Sequence, residues 1–310
     1  MQKQYETVAV KNIQDLISHI RISLNNLYEK YEADAMAMLV AEHVLRLSRL
    51  QLSVERQTEV SPLQWEEAET IISRLQHHEP LQYVLGCAHF YGLELTVTPA
   101  VLIPRPETEE LVDFIVRENA GRQSLQILDI CTGSGCIPIA LSAHLPTAKM
   151  AALDISAAAL EIARRNAAKY RQTITWLQQD ILNEDVALPA GSLDIIVSNP
   201  PYVLEQEKKL MRPNVLTFEP HLALFVPDND PLLFYRRIAG LSRQLLKPTG
   251  YLYFEINETQ AIPLTHLLQN AGFGSVQILK DLFGKERFIK AGNQPSSNLG
   301  NCNKYSYISG

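Results

Sequence analysis

The chain has 310 residues, 46% of them hydrophobic and 20% charged, which suits a soluble globular protein with one large and one small domain, each able to bury a core. A formal net charge of -6 argues against broad attraction to nucleic acid and favours a protein or small-molecule partner. No run approaches the ~18 apolar residues of a membrane span, and the N-terminal MQKQYETVAV lacks a signal peptide's apolar core, so the cytoplasm is the expected compartment.

Up to about residue 85 the pattern is helical. Ile13, Leu16, Ile17, Ile20, Leu24 and Leu27 recur at three- and four-residue steps and predict one helix face. A second helix is expected over ADAMAMLVAEHVLRL, with a muddier period. SPLQWEEAETIISRLQ opens with a start signal: Ser61 as N-cap, Pro62 at the first helical position and Gln64 closing a capping box. This bundle over 1–85 is either a structural cap or a partner-binding module, since nothing in it carries chemistry. Over 86–107 the period changes to two, and HFYGLELTVTP, with Gly92 at a turn, predicts a β-hairpin linker.

From about 108 to 292 strands and helices alternate: LQILDI, a helix after Gly135, MAALD, a helix over 157–169, ITWLQQD, LDIIVSN, a helix over 231–246, YLYFEIN, a helix to about 271, then VQILKD and ERFIKA. Such alternation builds an α/β fold, a Rossmann-like, mostly parallel sheet covered on both faces, and the last two strands predict an antiparallel edge. The segment 293–310 is polar, unpatterned and expected to be a disordered tail.

In open α/β sheets the ligand lies beyond the carboxyl ends of the strands. The first strand delivers LDICTGSGC there, so Cys131, Thr132, Gly133, Ser134 and Gly135 form a cofactor loop, with the glycines allowing close backbone approach and the next helix offering its free N–H groups. A dinucleotide fingerprint fails because Pro138 stands where the third glycine should be. The carboxylate of Asp129, entering the loop, favours an ammonium group or loop amides over a pyrophosphate. Asp154 ends the second strand, where an acid can accept from both ribose hydroxyls, and Asp180-Ile181 ends the third, offering an acceptor for an adenine amine beside an apolar side chain. Each acid alone is a common cap or turn residue; together with the loop they describe a ligand with an adenosine, no phosphates and a cationic amino-acid end. S-adenosylmethionine fits. The four cysteines, Cys87, Cys131, Cys136 and Cys302, show no C-x-x-C spacing, and neither a metal site nor a disulfide framework is expected.

The fourth strand ends in Ser198-Asn199-Pro200-Pro201-Tyr202. One proline ends a strand; the second leaves neighbouring carbonyls fixed in direction beside the Asn199 amide oxygen, a pocket for a group with N–H to donate. With LDICTGSG, LDIS and SNPPY in order on successive strand ends, the sequence resembles the class I S-adenosylmethionine-dependent methyltransferases. VLIPRPETEELV, PLQYVLG, FEPHLAL and DLFGKERFIKA make it more similar still to the release factor glutamine methyltransferases of the HemK type, over roughly residues 10–291. The resemblance implies transfer of a methyl group to the glutamine of the Gly-Gly-Gln motif in class 1 peptide chain release factors, S-adenosylhomocysteine as product, and a helical N-terminal domain that docks the factor.

The chemistry of an amide agrees. Its nitrogen is a poor nucleophile, and acceptance of its two hydrogens by the Asn199 side-chain oxygen and the Pro200 carbonyl would aim it and stabilise the charge that develops on it. Pro201 stiffens the turn, and Tyr202 is expected to pack on the flat amide while its hydroxyl finds a partner. Asn199 also counts among the cofactor contacts by the resemblance. Arg105 and Glu107, in IPRPETE, form either an exposed ion pair or, in a segment the resemblance puts against the active site, a positioning element for the substrate loop or the N-P-P-Y turn. Glu219 carries a weaker expectation, and His221 reads as a surface or capping histidine. The chain departs from the family at Cys131, where glycine is common and a thiol would make the site thiol-sensitive, and at Pro138, Phe218 and Asn257. Two rivals remain: an adenine exocyclic-amine methyltransferase acting on DNA or RNA, since that amine presents the same two donors, and a non-catalytic binding protein on the same scaffold. A monomer is expected.

Overall fold

In the computed structural model, which describes residues 11–294, the chain divides between Gly86 and Cys87 into two units. The first holds five helices: α1 (Ile13–Leu24), α2 (Lys30–Leu45), α3 (Arg49–Val54), α4 (Pro62–Gln76) and α5 (Leu81–Leu85). Its α4 starts as the sequence predicts, with Ser61 and Gln64 closing a reciprocal capping box around Pro62. In α1 the expected face buries Ile13, Leu16, Ile20 and Leu24, but the helix ends there and Leu27 is exposed. The muddy period of α2 has a simple cause. Ala33, Met36, Ala37, Val40, Ala41 and Val44 form a regular buried stripe, masked in the sequence by apolar Met38 and Leu39 off that stripe. Its alanines let α1 and α4 approach closely to build one core with Ile71, Ile72 and Leu75. Arg74 locks the end of the unit, donating to Glu79 and to the carbonyls of Tyr83 and Val84.

The second unit opens with the predicted hairpin, β1 (Cys87–Phe90) and β2 (Leu93–Thr96), whose turn residues Tyr91 and Gly92 both have positive φ, as a type I′ two-residue turn requires. Phe90 and Leu95 are buried in this unit's own core, so the segment expected as a linker is part of the larger unit. There follow α6 (Pro106–Asn119), β3 (Gln126–Ile130), α7 (Cys136–His144), β4 (Lys149–Asp154), α8 (Ala157–Lys169), β5 (Ile174–Gln178), β6 (Leu193–Ser198), β7 (Val203–Leu204), α9 (Pro213–Phe218), β8 (Phe225–Val226), α10 (Leu233–Leu245), β9 (Leu246–Glu255), α11 (Ala261–Asn270), β10 (Ser275–Lys280) and β11 (Glu286–Gly292). The helix α6 has no counterpart in the sequence-based expectation, which ran from IPRPETE straight to the first strand. Its signal is nonetheless present: Pro106 at the first position, Glu107 and Glu109 in the first turn, and Leu111, Val112 and Ile115 on one face.

Seven strands form one sheet in the order β5-β4-β3-β6-β9-β11-β10. The first five run parallel, β11 pairs antiparallel with β9, and β10 with β11, which gives the predicted antiparallel edge. Alternate residues of each central strand enter opposite cores. Leu128, Ile130, Ile196, Leu252 and Phe254 meet α10 and α11 on one face; Ile127, Ile195, Val197 and Tyr253 meet α6 and α7 on the other. Because both faces are covered, β6 is buried along its whole length. The chain fills the sheet outward from β3 to β5, then returns to β6, so the order reverses between β3 and β6 and leaves a crevice at their carboxyl ends. Residues 295–310 of the expected tail lie outside the described residues. Asn293 does not belong to a tail: it is buried, donates to the Leu246 and Lys247 carbonyls and receives Arg243. No helix among the described residues is long and apolar enough to cross a membrane.

Candidate functional site

A cavity of about 280 Å³ opens at the carboxyl ends of the parallel strands. Of the residues picked from the sequence, Cys131, Gly133, Asp154, Asp180, Ile181, Asn199 and Pro201 stand on its wall. The glycine loop and the N-P-P-Y turn therefore share one opening, although β3, β4, β5 and β6 supply them from distant parts of the chain.

Asp154 organises the loop. Its carboxylate oxygens accept from the backbone N–H of Gly133 at 2.9 Å and of Ser156 at 2.9 Å. Burial raises its pKa, while the backbone N–H groups of Ser156, Gly133 and Ile155 hold it down. The two glycines divide their work. At Gly133, φ is +55° and an added Cβ would meet nothing within 4 Å, so the missing side chain leaves the cavity open. Gly135 is not on the wall. It is the N-cap of α7 with φ +78°, and a Cβ there would lie 3.0 Å from Ala163 and 3.2 Å from Trp176, so it serves helix packing rather than the ligand approach expected of it. Cys131 occupies the left-handed region with φ +64°, a conformation that explains a glycine preference there and costs a non-glycine residue about 1–2 kcal/mol. Burial drives its thiol well above the usual range, with Asp154 and Asp129 adding to the effect. A thiolate is disfavoured there, which works against the expected thiol sensitivity although Cys131 lines the cavity.

Asp129 lies beneath the loop, almost wholly buried, and neither carboxylate oxygen has a hydrogen-bond partner; the buried Thr132 hydroxyl lacks one too. Burial pushes the Asp129 carboxyl up to about 8, the neighbouring Thr132 offsets part of this, and Asp154 adds to it. A buried acceptor left without a donor needs explaining, and a cationic ligand group with N–H to donate would satisfy it. Ser134 is buried and accepts from Asn166 through its carbonyl, so it is a structural member of the loop. Asp180 faces the cavity and is also a turn residue: its oxygens accept from the Leu182 N–H at 2.9 Å and the Asn183 amide at 2.7 Å. Ile181 is buried beside it. The outer wall includes residues that the sequence reading did not place there: Val101 and Leu102 from one segment, Pro220 and Leu222 from another.

Behind the N-P-P-Y turn is a network that the sequence reading missed. Register pairs Ser198 with Phe254, so Asn199 and Glu255 leave neighbouring strands side by side. Glu255 is buried; its Oε2 accepts from the Thr108 hydroxyl at 2.6 Å and its Oε1 from the Tyr202 hydroxyl at 3.3 Å. Thr108 in turn accepts from Asn199 Nδ2 at 3.3 Å. Burial pushes the Glu255 carboxyl up to about 7; Thr108 and Arg287 pull against that, and Glu107 adds to it. Tyr202 thus has its hydroxyl partner, but its ring packs on the core and is absent from the cavity wall. Pro200, between the wall residues Asn199 and Pro201, is buried. The signals available in the sequence were an acid closing the apolar strand YLYFE, and a helix start that puts Thr108 in its first turn.

Arg105 does not pair with Glu107. Its guanidinium donates to Glu219 at 2.6 Å, and the buried Glu219 also accepts from the Ile103 N–H at 3.3 Å. This bridge ties IPRP to FEP, the two segments that form the outer wall, and makes Glu219 far more important than expected. Glu107 lies in the first turn of α6, favourably placed against the helix dipole. His221 is exposed and bonds the Leu216 carbonyl at 2.8 Å, as a capping histidine does. Pro138 falls in the first turn of α7 and Asn257 caps a short helical turn, so neither departure disturbs the site. Phe218 ends α9, half-buried.

Comparison with known proteins adds to this geometry. The family described as Methyltransferase small domain matches residues 108–216, and that described as PrmC N-terminal domain matches residues 15–86. The release factor glutamine methyltransferase of Bacteroides thetaiotaomicron is 48% identical over 276 residues, 89% of this chain and 98% of that protein. That of Flavobacterium psychrophilum is 42% identical over 272 residues, 86% of this chain and 94% of that protein. Among solved structures, the hMettl16 catalytic domain in complex with MAT2A 3'UTR hairpin 6 aligns with a TM-score of 0.53 at 17% identity, covering 80% of this chain and 88% of that one, a likeness of fold alone.

Proposed function

Because the chain belongs to the release factor glutamine methyltransferase family, we propose that it methylates the side-chain amide nitrogen of the Gly-Gly-Gln glutamine in class 1 peptide chain release factors, using S-adenosyl-L-methionine. The observation that carries this reading is the shared cavity: Asn199 and Pro201 open onto the same space as Gly133 and Asp154. The bound cofactor supplies an electrophilic methyl group. The loop Cys131–Gly135 shapes its seat, the unpartnered Asp129 takes the ammonium end, Asp154 offers its carboxylate to the ribose hydroxyls, and Asp180 with Ile181 takes the adenine.

On the substrate side, the Asn199 Nδ2 is engaged by Thr108, which leaves its Oδ1 to accept one amide hydrogen. The Pro200 carbonyl accepts the other. With both hydrogens held, the amide nitrogen is presented in one orientation, and the same acceptors gain strength as positive charge develops on it. Pro201 and the brace on Tyr202 keep the turn rigid, so little reorganisation accompanies reaction. Arg105 acts through Glu219 on the cavity's outer wall rather than on the reacting atoms, and Glu107 acts on the charge around Glu255. The helical unit docks the release factor, the protein works as a cytoplasmic monomer, and no stable nucleic-acid binding accompanies it. Mass spectrometry of release factor incubated with enzyme and cofactor tests this: the glutamine of Gly-Gly-Gln gains one methyl group, and a Gln→Ala release factor methylated to the same extent would overturn the assignment.

A further inference from the structure

We propose that Glu255 is a positioning residue for methyl transfer: through Thr108 on one carboxylate oxygen and Tyr202 on the other, it holds both ends of the N-P-P-Y turn and keeps the Asn199 carboxamide nitrogen turned inward. This deepens the proposed function and rests on it for its kinetic consequences only.

Hydrogen-bond polarity sets the orientation of the Asn199 amide. An ionised carboxylate accepts and cannot donate, so the single Thr108 hydroxyl proton points to Glu255 Oε2, at 2.6 Å. The hydroxyl then has only lone pairs left for Asn199, and a lone pair selects the Asn199 NH₂ end over the oxygen, at 3.3 Å. A protonated Glu255 can reverse the chain. Its own O–H donates to Thr108, the Thr108 proton turns toward Asn199, and the amide flips to offer oxygen inward and NH₂ toward a substrate that also brings NH₂. Two donors then face each other where one acceptor is needed.

The surroundings keep this carboxylate near the balance point. Glu107 faces it from α6 and Arg287 from β11, the Tyr202 hydroxyl bonds it from the turn, and the Tyr235 hydroxyl of α10 bonds its backbone carbonyl at 3.0 Å. Burial, opposed by Thr108, Arg287 and Tyr202 and reinforced by Glu107, puts its titration at about 7. Saturating cofactor removes Asp129 from the same pH range, because the ammonium partner favours its ionised form.

The test is steady-state methylation of release factor at saturating cofactor from pH 5.5 to 8.5. The wild-type protein is expected to lose kcat on an acid limb near pH 7. Glu255→Gln keeps an oxygen for Thr108 but cannot titrate, so it retains kcat within about fivefold at pH 8 and loses the acid limb. Thr108→Val loses about 10–100-fold in kcat with KM for the release factor and cofactor affinity within about threefold, and Thr108→Ser restores most of it. A second readout needs no turnover. With ¹⁵N-asparagine-labelled full-length protein, the Asn199 side-chain NH₂ resonances, assigned by their absence in Asn199→Asp, shift with the titration of Glu255 in wild type and are insensitive to pH in Glu255→Gln and Thr108→Val. If wild type methylates no release factor, the substrate reading fails while the resonances still decide this proposal. A wild-type acid limb that survives in Glu255→Gln, or Asn199 resonances unmoved by pH in wild type, would overturn it.

Discussion

Replacing Asp129 with asparagine removes a carboxylate that the fold buries with neither oxygen hydrogen-bonded. Its pKa rises from 3.8 to about 8, chiefly through burial. The folded protein therefore holds a proton up to about pH 8 that the unfolded chain releases near pH 4, and the state that binds more protons gains as pH falls. Stability is accordingly lost as pH rises through that window, at up to about 1.4 kcal/mol per pH unit. Integrated to pH 7 the cost is at most about 4 kcal/mol, and structural relaxation and water entry reduce it. Asp129→Asn cannot titrate, so its melting temperature should decline less between pH 5 and 8.5 than that of wild type. The same variant should lose cofactor affinity by about 10–150-fold, the weight of a charge-assisted hydrogen bond of about 1.5–3 kcal/mol. Cofactor binding to wild type below pH 8 should release close to one proton, read as a buffer-dependent binding enthalpy by titration calorimetry, and the variant should release none. Parallel stability curves for the two proteins, or undiminished affinity, would refute the assignment of Asp129 to a cationic ligand group.

Other substitutions separate binding from folding. Gly133→Ala places a methyl group in open space at φ +55° and should cost about 1 kcal/mol of stability but at least tenfold in cofactor affinity. Gly135→Ala forces a Cβ to within 3.0 Å of Ala163, and should cost about 2–4 kcal/mol in thermal or urea melts. Asn199→Ala should reduce kcat about 100-fold or more, with cofactor affinity changed only severalfold, measured by radiolabelled methyl transfer beside calorimetry. Arg105→Ala leaves the buried Glu219 with the Ile103 N–H but without its guanidinium; backbone amides of 203–226 should exchange faster by hydrogen–deuterium exchange, an effect of about 1–3 kcal/mol, and Glu219→Gln should show a smaller change.

Much of the fold was legible because local rules and tertiary packing agree. The helix over Ala157–Lys169 and the reciprocal cap of Ser61 and Gln64 follow from local signals that tertiary contacts only reinforce. The candidate site was legible where residues of recognisable chemistry close apolar strands: Asp154, Asp180 and Asn199 all reach one cavity. Reading failed where a residue's neighbour is remote in sequence. Nothing local tells Arg105 to prefer Glu219 over Glu107, or Gly135 to serve Trp176 rather than a ligand. Leu27 fits the face of α1 by period, yet the chain turns at Leu24 before that period can act.

The sequence by itself determined the alternation of strands and helices, the order of the glycine loop, the two ribose- and adenine-side acids and the N-P-P-Y turn, because each is written in short-range periodicity and residue chemistry. Only the tertiary structure decided that Thr108, from a helix before the first parallel strand, and Glu255, from the end of β9, stand behind Asn199. Strand register and the packing of α6 made that choice, and the energy that separates one partner for a buried carboxylate from another resides in burial and distance. Neither quantity exists until the chain has folded.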